Sequence, residues 1–297
     1  MKKILLALLA ISITFYSCDD DDDNTGNLTI DISGLDNLGD GFLYEGWVIV
    51  DGAPISTGTF SVDDDGDLSA SSFNLDGAML DAATTFVLTI EPNPDSDPEP
   101  SATKLLGGDF SGSSASATIM HAAAFGMGFS DVTGGYILAT PTTTDDSDEA
   151  SGVWFLDNSS GSPAIGLNDL PDLSSQTGWT YEGWAVLGGT PVSTGTFDMA
   201  SGFDDNATST VFKGDDGDGP AFPGEDFVQN APSGLSFPTD LKGATIVISI
   251  EPVPDNSAAP FTLKPLAGEV PTTLDNHTYQ TMDNIASSTY PSGTIAR

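Results

Sequence analysis

The chain has 297 residues and a formal net charge of −37, which becomes −39 when Lys2 and Lys3 leave with an N-terminal leader. This balance excludes a nucleic-acid-binding role, because phosphate recognition needs a basic surface. The apolar fraction of 38% is low, but it is sufficient for β-sandwich cores, in which inward and outward residues alternate.

Residues 1–18 (MKKILLALLAISITFYSC) are predicted to be a lipoprotein signal peptide. They combine a basic start, an apolar run too short for a stable membrane span, and a small residue before a cysteine. Cys18 is the only cysteine of the chain, and its position resembles the lipid-modified residue of bacterial lipoproteins. Lipidation is therefore predicted at Cys18, and simple cleavage that leaves a thiol is the alternative.

Residues 19–27 are predicted to be an acidic tether, because the five aspartates at 19–23 repel one another and stay extended. Acidic residues directly after a lipidated cysteine resemble the export signal of surface-exposed lipoproteins in one group of Gram-negative bacteria. The predicted location is the cell envelope, with a lipid anchor in the outer membrane and exposure at the surface.

The body of the chain contains a repeat. Residues 43–60 (LYEGWVIVDGAPISTGTF) recur as residues 180–197 (TYEGWAVLGGTPVSTGTF) at an offset of 137. The apolar and aromatic positions predict a central strand, Asp51-Gly52 and Gly188-Gly189 predict a tight hairpin, and Gly58 and Gly195 predict a β-bulge. Trp47 and Trp184 are predicted to be buried in the core.

A second pair of strands, residues 86–91 (FVLTIE) and 246–251 (IVISIE), is related by an offset of 160, so copy two carries 23 extra residues. We place the extra length in residues 213–236, rich in Gly, Pro and Asp, and expect function to lie where the copies differ. Alternating apolar residues also predict strands at 28–32, 136–140 and 152–157.

No stretch has a helical period of useful length, so the predicted fold is all-β. We expect two tandem immunoglobulin-like antiparallel β-sandwich modules, residues 28–146 and 147–297, with the boundary in the acidic stretch 145–149.

Two of the few lysines also repeat. Lys104 follows Glu91 by 13 residues, and Lys264 follows Glu251 by the same 13. If the intervening residues connect adjacent strands, each lysine faces its glutamate, and Glu45 and Glu182 complete the two clusters. Structural ion pairs are predicted, because nothing beside these residues supplies the nucleophile or oxyanion site that catalysis needs.

Other residues give no catalytic or metal site. His121 and His277 lack metal-ligand spacing, no G-x-S-x-G elbow is present, and no cofactor is expected. The acidic runs 63–67, 145–149 and 215–218 do not fit a calcium loop. Solvated turns are expected there, with weak calcium binding as the alternative. Trp154, Trp179 and Phe222 are candidates for exposed aromatic residues that stack on sugars.

The ordered set W…G-x-P…G-x-F…T-x-E-P…L-x-G resembles the extracytoplasmic C-terminal domain of anti-sigma-K factors. Copy one carries it at Trp47, Gly52, Pro54, Gly58, Phe60, Thr89, Glu91, Pro92 and Leu106. Copy two carries it at Trp184, Gly189, Pro191, Gly195, Phe197, Glu251, Pro252 and Leu266, with Ser249 in place of the threonine. The resemblance implies a compact β-sandwich outside the cytoplasm.

A factor of that family has a cytoplasmic sigma-binding domain and a transmembrane helix before this domain, where the present chain has a leader and a tether. The expected function is therefore non-enzymatic binding at the outer surface, with an unknown protein or glycan as ligand. The alternative is a regulatory or sensory envelope component that acts with a separate transmembrane partner in sigma-factor signalling.

Overall fold

The computed structural model describes residues 25–255 and 257–297; the predicted leader, Cys18 and most of the predicted tether lie outside these ranges. The described residues form antiparallel β-structure with two short helices and one 3₁₀ turn, which confirms the all-β prediction. The first strand begins at Thr25, so the last three residues of the predicted tether are β-structure. Neither described helix is long and apolar enough to cross a membrane.

The elements are numbered in chain order. The first group is β1 (Thr25–Ser33), β2 (Phe42–Val50), β3 (Ala53–Phe60), β4 (Ser72–Asp76), α1 (Gly77–Ala82), β5 (Thr85–Pro92), β6 (Lys104–Ser111) and β7 (Ser114–Thr118). The second group is β8 (Thr133–Leu138), the 3₁₀ turn (Glu149–Ser151), β9 (Gly152–Trp154), β10 (Leu156–Asp157), β11 (Ala164–Ile165), β12 (Leu167–Asn168), β13 (Trp179–Leu187), β14 (Thr190–Phe197) and β15 (Gly224–Asp226). The last group is β16 (Thr245–Pro252), β17 (Leu266–Glu269), β18 (Gln280–Asn284), α2 (Ala286–Thr289) and β19 (Ser292–Ala296).

The strands form two large sheets of the same design. Module 1 (residues 25–118 and 292–296) has the order β3-β2-β5-β6-β7-β19-β1-β4. Module 2 (residues 133–284) has the order β14-β13-β16-β17-β18-β8-β9-β15, with β12 also paired to β8. Position by position, the two orders match, and the repeated residues fall on β2–β3 and β13–β14.

The module boundary differs from the predicted one at residues 146–147. Strand β8 precedes that point but pairs with β18 and β9 of module 2, whereas β19, at the other end of the sequence, pairs with β7 and β1 of module 1. Module 2 is therefore inserted into module 1 between β7 and β19. The predicted arrangement of two modules in tandem therefore differs from the observed connectivity.

The hairpin between β2 and β3 forms as the sequence predicts. Asp51 and Gly52 have φ values of 52° and 82°, the left-handed conformations of a two-residue turn. The register shifts after Gly46, opposite Gly58, whose φ is 115°, so the predicted bulge is present. Beyond the bulge, Phe60 turns inward and is 2% exposed. Strands β13 and β14 repeat this geometry.

Each sheet curves until its two edge strands approach each other. In module 1 the rings of Phe60 on β3 and Phe73 on β4 lie 6.3 Å apart. In module 2 the corresponding strands β14 and β15 are also in contact. The inward face of each sheet carries fully buried aromatic residues, among them Tyr44, Phe86 and Tyr181, and one apolar cluster runs through both modules.

The two connections that link the modules, residues 119–132 and 285–291, pack against each other. The Asn284 side-chain amide donates hydrogen bonds to the carbonyls of Phe129 at 2.7 Å and Val132 at 2.8 Å. The Phe129 ring meets Tyr290 edge-on at 5.7 Å. Phe125, in the first connection, packs edge-on against Trp179 of module 2 at 5.5 Å. These contacts join the modules into one packed unit.

Candidate functional site

The repeated segments 43–60 and 180–197 contribute to a buried polar network on the outer face of each sheet. In module 1 the indole N–H of Trp47 donates to Thr89 Oγ1 at 2.9 Å, and the Thr89 hydroxyl donates to Glu91 Oε1. The backbone N–H of Ser101 donates to the same carboxylate oxygen at 2.9 Å. Thr89 and Glu91 are 0% and 2% exposed, so their polar atoms depend on these partners.

Module 2 repeats this network with serine in place of threonine. Trp184 Nε1 donates to Ser249 Oγ at 2.7 Å, Ser249 donates to Glu251 Oε1, and the Phe261 N–H donates to Glu251 Oε1 at 2.9 Å. Trp47 and Trp184 are therefore buried, as predicted, but they face the glutamates and lie outside the main apolar cluster.

The second glutamate of each network is held by a hydroxyl from the hairpin partner strand. Ser56 donates to Glu45, and Ser193 donates to Glu182. These serines belong to the repeated STGTF segment, whose bulge places them beside the strand that carries the glutamate. The hydroxyl and carboxylate positions therefore recur together.

The predicted ion pairs between these glutamates and the repeated lysines are wrong. Among the described residues, Lys104 and Lys264 form no salt bridge, and Lys104 is exposed at a position opposite Thr89. Hydroxyls and backbone N–H groups donate to the Oε1 atoms of these carboxylates instead. Lys264 acts on module 1: the pKa of Asp36 is raised by burial, and the Lys264 charge opposes this rise.

Burial makes the two module 2 glutamates weaker acids than an ordinary glutamate. It raises the pKa of Glu182 to about 7 and that of Glu251 to about 8, and the Glu182 charge adds to the rise at Glu251. The Oε2 atom of each carboxyl is buried and has no hydrogen-bond partner among the described residues. The pKa of Glu45 in module 1 is also raised, again chiefly by burial.

The connections on either side of β15 bury a further set of carboxyl groups. Residues 198–223 and 227–244 are longer than their module 1 counterparts, 61–71 and 77–84, so the extra length extends beyond the predicted 213–236. Asp226 accepts hydrogen bonds from Trp154 Nε1 at 2.7 Å and from the Thr142 N–H at 2.8 Å. Burial raises the pKa of Asp226 to about 6 and that of Glu225 to about 8.

The acidic runs that begin at Asp63 and Asp145 form turns. Asp63 Oδ1 accepts the backbone N–H groups of Asp65 at 3.0 Å and Asp67 at 2.9 Å, and Asp145 Oδ1 accepts that of Ser147 at 2.9 Å. Within the described ranges, no three His, Cys, Asp or Glu side chains are grouped closely enough to hold a metal ion. His121 lies 3.3 Å from the exposed Asp109 carboxylate, and its Nδ1 accepts the Ala123 N–H at 3.2 Å.

A cleft in module 2, here called the Trp154 cleft, combines an apolar floor with a polar side and is a candidate binding site. It encloses about 340 Å³ and is lined by Ile137, Ala139, Thr140, Pro141, Thr143, Glu149, Trp154, Leu156, Asn158, Pro163, Pro220 and His277. This volume is in the range of small-molecule sites. Its floor is a small apolar cluster separate from the main core.

The polar side of the cleft is formed by Glu149 and His277. The His277 Nε2 atom lies 2.7 Å from Glu149 Oε2, which also accepts the Thr140 N–H at 3.1 Å. His277 has a φ of 62°, a left-handed conformation uncommon for a non-glycine residue. Its N–H donates to Leu138 O at 2.9 Å, and its carbonyl accepts from Asn158 Nδ2 at 2.8 Å, so its position is fixed.

Sequence reasoning identified two aromatic residues near this cleft but assigned them wrongly as exposed. Trp154 is 3% exposed, and Phe222, partly buried, packs on the same small cluster. Trp179, the third, is 3% exposed in the main core. The Glu149–His277 pair was missed because the two residues are 128 positions apart, and no local spacing signals such a contact.

The comparisons with known proteins bear on module 1. None of the curated proteins and none of the solved structures matches the chain. Residues 20–104, under a third of the sequence, match the family model described as anti-sigma-K factor rskA, C-terminal. This stretch contains β1 to β5 and both glutamates of the module 1 network. The resemblance seen in the sequence is therefore confirmed for residues 20–104, which are similar to the C-terminal domain of anti-sigma-K factors.

Proposed function

We propose that this chain is a non-enzymatic cell-envelope lipoprotein that displays two anti-sigma-K-like β-modules at the outer surface and binds a ligand there. The observation that carries the proposal is the difference between the modules. The residues common to both are occupied by hydrogen bonds within the fold, whereas module 2 also forms the Trp154 cleft, to which its longer connections contribute Pro220. This difference supports binding in module 2, on a scaffold shared with module 1.

Anchoring and display have separate tests. Labelling of cells with a fatty-acid analogue is expected to modify the wild-type protein and to leave a Cys18→Ser variant unlabelled.

Surface display is tested with protease. Protease added to intact cells is expected to degrade the wild-type protein. A variant with serines in place of the aspartates at 19–23 is expected to stay protected if these residues direct export. A wild-type protein that stays protected would place it in the periplasm and refute surface display.

A second candidate function is a regulatory or sensory role with a separate transmembrane partner. The match of residues 20–104 to an anti-sigma-K factor domain favours it. Cross-linking in intact cells, followed by capture of the protein from membranes, is expected to recover a signalling protein under this hypothesis. Recovery of envelope proteins without any signalling component would count against it.

A further inference from the structure

We propose that the Trp154 cleft binds a small organic ammonium compound, in which an amine is joined to an apolar body. This inference rests on the proposed function only in taking the chain to be a binding protein. It adds a chemical class of ligand and names the groups that recognise it. The argument combines the floor, the walls and the charge of the cleft.

The floor of the cleft suits an apolar group. Ile137, Trp154 and Leu156 are 6%, 3% and 3% exposed and belong to a satellite cluster, so the floor is rigid and apolar. The Trp154 indole is fixed from below by its hydrogen bond to Asp226 at 2.7 Å. A ligand that covers this floor removes apolar surface from water, which favours binding.

The walls suit several other ligand classes less well. Pro141, Pro163 and Pro220 line the cleft, and proline has no backbone N–H to donate. These three residues therefore offer the carbonyls of a peptide strand no backbone donor. No lysine or arginine is among the lining residues, and the one basic side chain there, His277, lies 2.7 Å from the Glu149 carboxylate, so the cleft offers a phosphate or carboxylate no unpaired positive charge.

The charge of the cleft favours a cation. The Glu149 side chain is 21% exposed and lies at the polar side, and the net charge of the whole chain is −37. A carboxylate shielded from water in this way interacts more strongly with a positive charge than a solvated one does. Asp148 lies next to it, held by the Thr140 and Thr143 hydroxyls at 2.8 and 3.1 Å.

The geometry of His277 indicates a preorganised site. A non-glycine residue in the left-handed region costs free energy and is kept only when its surroundings fix it, as the bonds to Leu138 and Asn158 do here. The imidazole in turn orients the Glu149 carboxylate through the 2.7 Å contact. His277 is thus a positioning residue, and Glu149 is the group that meets the ammonium.

The test is calorimetric titration of the purified full-length protein with benzylamine, methylamine and benzyl alcohol. Benzylamine is expected to bind, whereas methylamine, which lacks the apolar body, and benzyl alcohol, which lacks the charge, bind at least about tenfold more weakly. Glu149→Gln keeps one oxygen that can accept from the Thr140 N–H and His277 and removes the charge, and it is expected to weaken benzylamine binding by about tenfold or more.

The matched control is Asp146→Asn, which removes the same charge from an exposed residue outside the cleft. It is expected to leave the affinity nearly unchanged. Equal weakening by the two variants, equal binding of benzylamine and benzyl alcohol, or no binding of benzylamine at tens of millimolar would each overturn the proposal. None of these outcomes affects the result of protease treatment of intact cells. The proposal of surface display and the proposal of an ammonium ligand can therefore be refuted independently.

Discussion

The pKa values of Glu182 and Glu251 depend on the surroundings of these two repeated residues. They lie on one face of the β13–β16 pair, where Thr180 is opposite Glu251 and Glu182 is opposite Ser249, so the two glutamates are diagonal neighbours. Each carboxyl accepts hydrogen bonds at Oε1 and leaves Oε2 buried without a partner among the described residues. Burial is the main cause of the raised pKa values of both carboxyls, and the Glu182 charge adds to the rise at Glu251.

This pair makes folding stability fall as pH rises. The unfolded glutamates lose their protons near the ordinary value of 4.5, whereas burial raises the folded pKa values to about 7 and 8. Between these limits the folded state holds more protons than the unfolded state. The free energy of unfolding therefore decreases by about 1.4 kcal/mol per pH unit for each retained proton. Asp255, the other charge acting on both groups, raises both values further.

Glu251→Gln is expected to flatten this pH dependence and to raise the midpoint of urea unfolding at pH 8 relative to the wild type. Glutamine keeps the acceptor for Ser249 and the Phe261 N–H, and it adds a donor that Glu182 can use. Glu269→Gln, an exposed position with the same change of charge, is the control. A slope between pH 5 and 8 that is the same in both variants would contradict the assignment to this pair.

The sequence predicted that the repeated glutamates matter to the fold but gave them the wrong partners. Spacing from Glu91 to Lys104 correctly placed them on adjacent strands, β5 and β6. It could not reveal the register shift after Leu88, which sets Lys104 opposite Thr89, where Lys104 is exposed and forms no ion pair with Glu91. The hydroxyl residues that also repeat, Ser56 with Ser193 and Thr89 with Ser249, indicated the hydrogen-bond partners that these glutamates have in the structure.

At the scale of elements, local patterns predicted the long strands well. The turn at Asp51-Gly52, the bulge at Gly58 and strands β2, β5, β13 and β16 all follow from residues close in sequence. Short strands such as β10 to β12 have two residues each and carry no period that a sequence could show. Pairing partners far along the chain were likewise invisible.

Strand β19 illustrates an element held by its flanking residue. The Arg297 guanidinium donates to the Leu80 carbonyl, to Ala83 O at 2.6 Å and to Gly112 O at 3.2 Å, and it lies 4.3 Å from the centre of the Phe110 ring. It thereby joins β19 to the end of α1 and to the β6–β7 turn. A planar cation with several donors suits this set of carbonyls.

Arg297→Ala is expected to lower the free energy of unfolding by roughly 1–3 kcal/mol, because it removes charge-assisted hydrogen bonds and the contact with Phe110. Arg297→Lys is expected to recover only part of this loss, since one ammonium group cannot reach all three sites. Chemical denaturation measures both variants. Equal stability of the lysine variant and the wild type would show that charge alone matters.

At the scale of the whole molecule, the insertion of module 2 into module 1 could not be read from the sequence. The repeat indicated two copies in order, and the order of the repeated segments is the same for tandem and inserted arrangements. The difference rests on β8 and β19, of six and five residues, whose pairing is decided by tertiary packing. Their sequences contain nothing that specifies which sheet they enter.

This connectivity makes module 1 depend on the far end of the chain, while module 2 depends on no residue outside 133–284 for its sheet. A chain that ends at Asn284 is therefore expected to keep slow amide hydrogen exchange in β13 and β16. It loses the strand between β7 and β1, so exchange in those two strands is expected to become fast. Exchange measured by mass spectrometry on peptides from each module distinguishes the two effects.

A peptide of residues 285–297 added in trans is expected to restore protection to β1 and β7, because β19 makes its ladder bonds with those strands alone. Unchanged exchange in β1 and β7 after truncation would show that module 1 closes without β19.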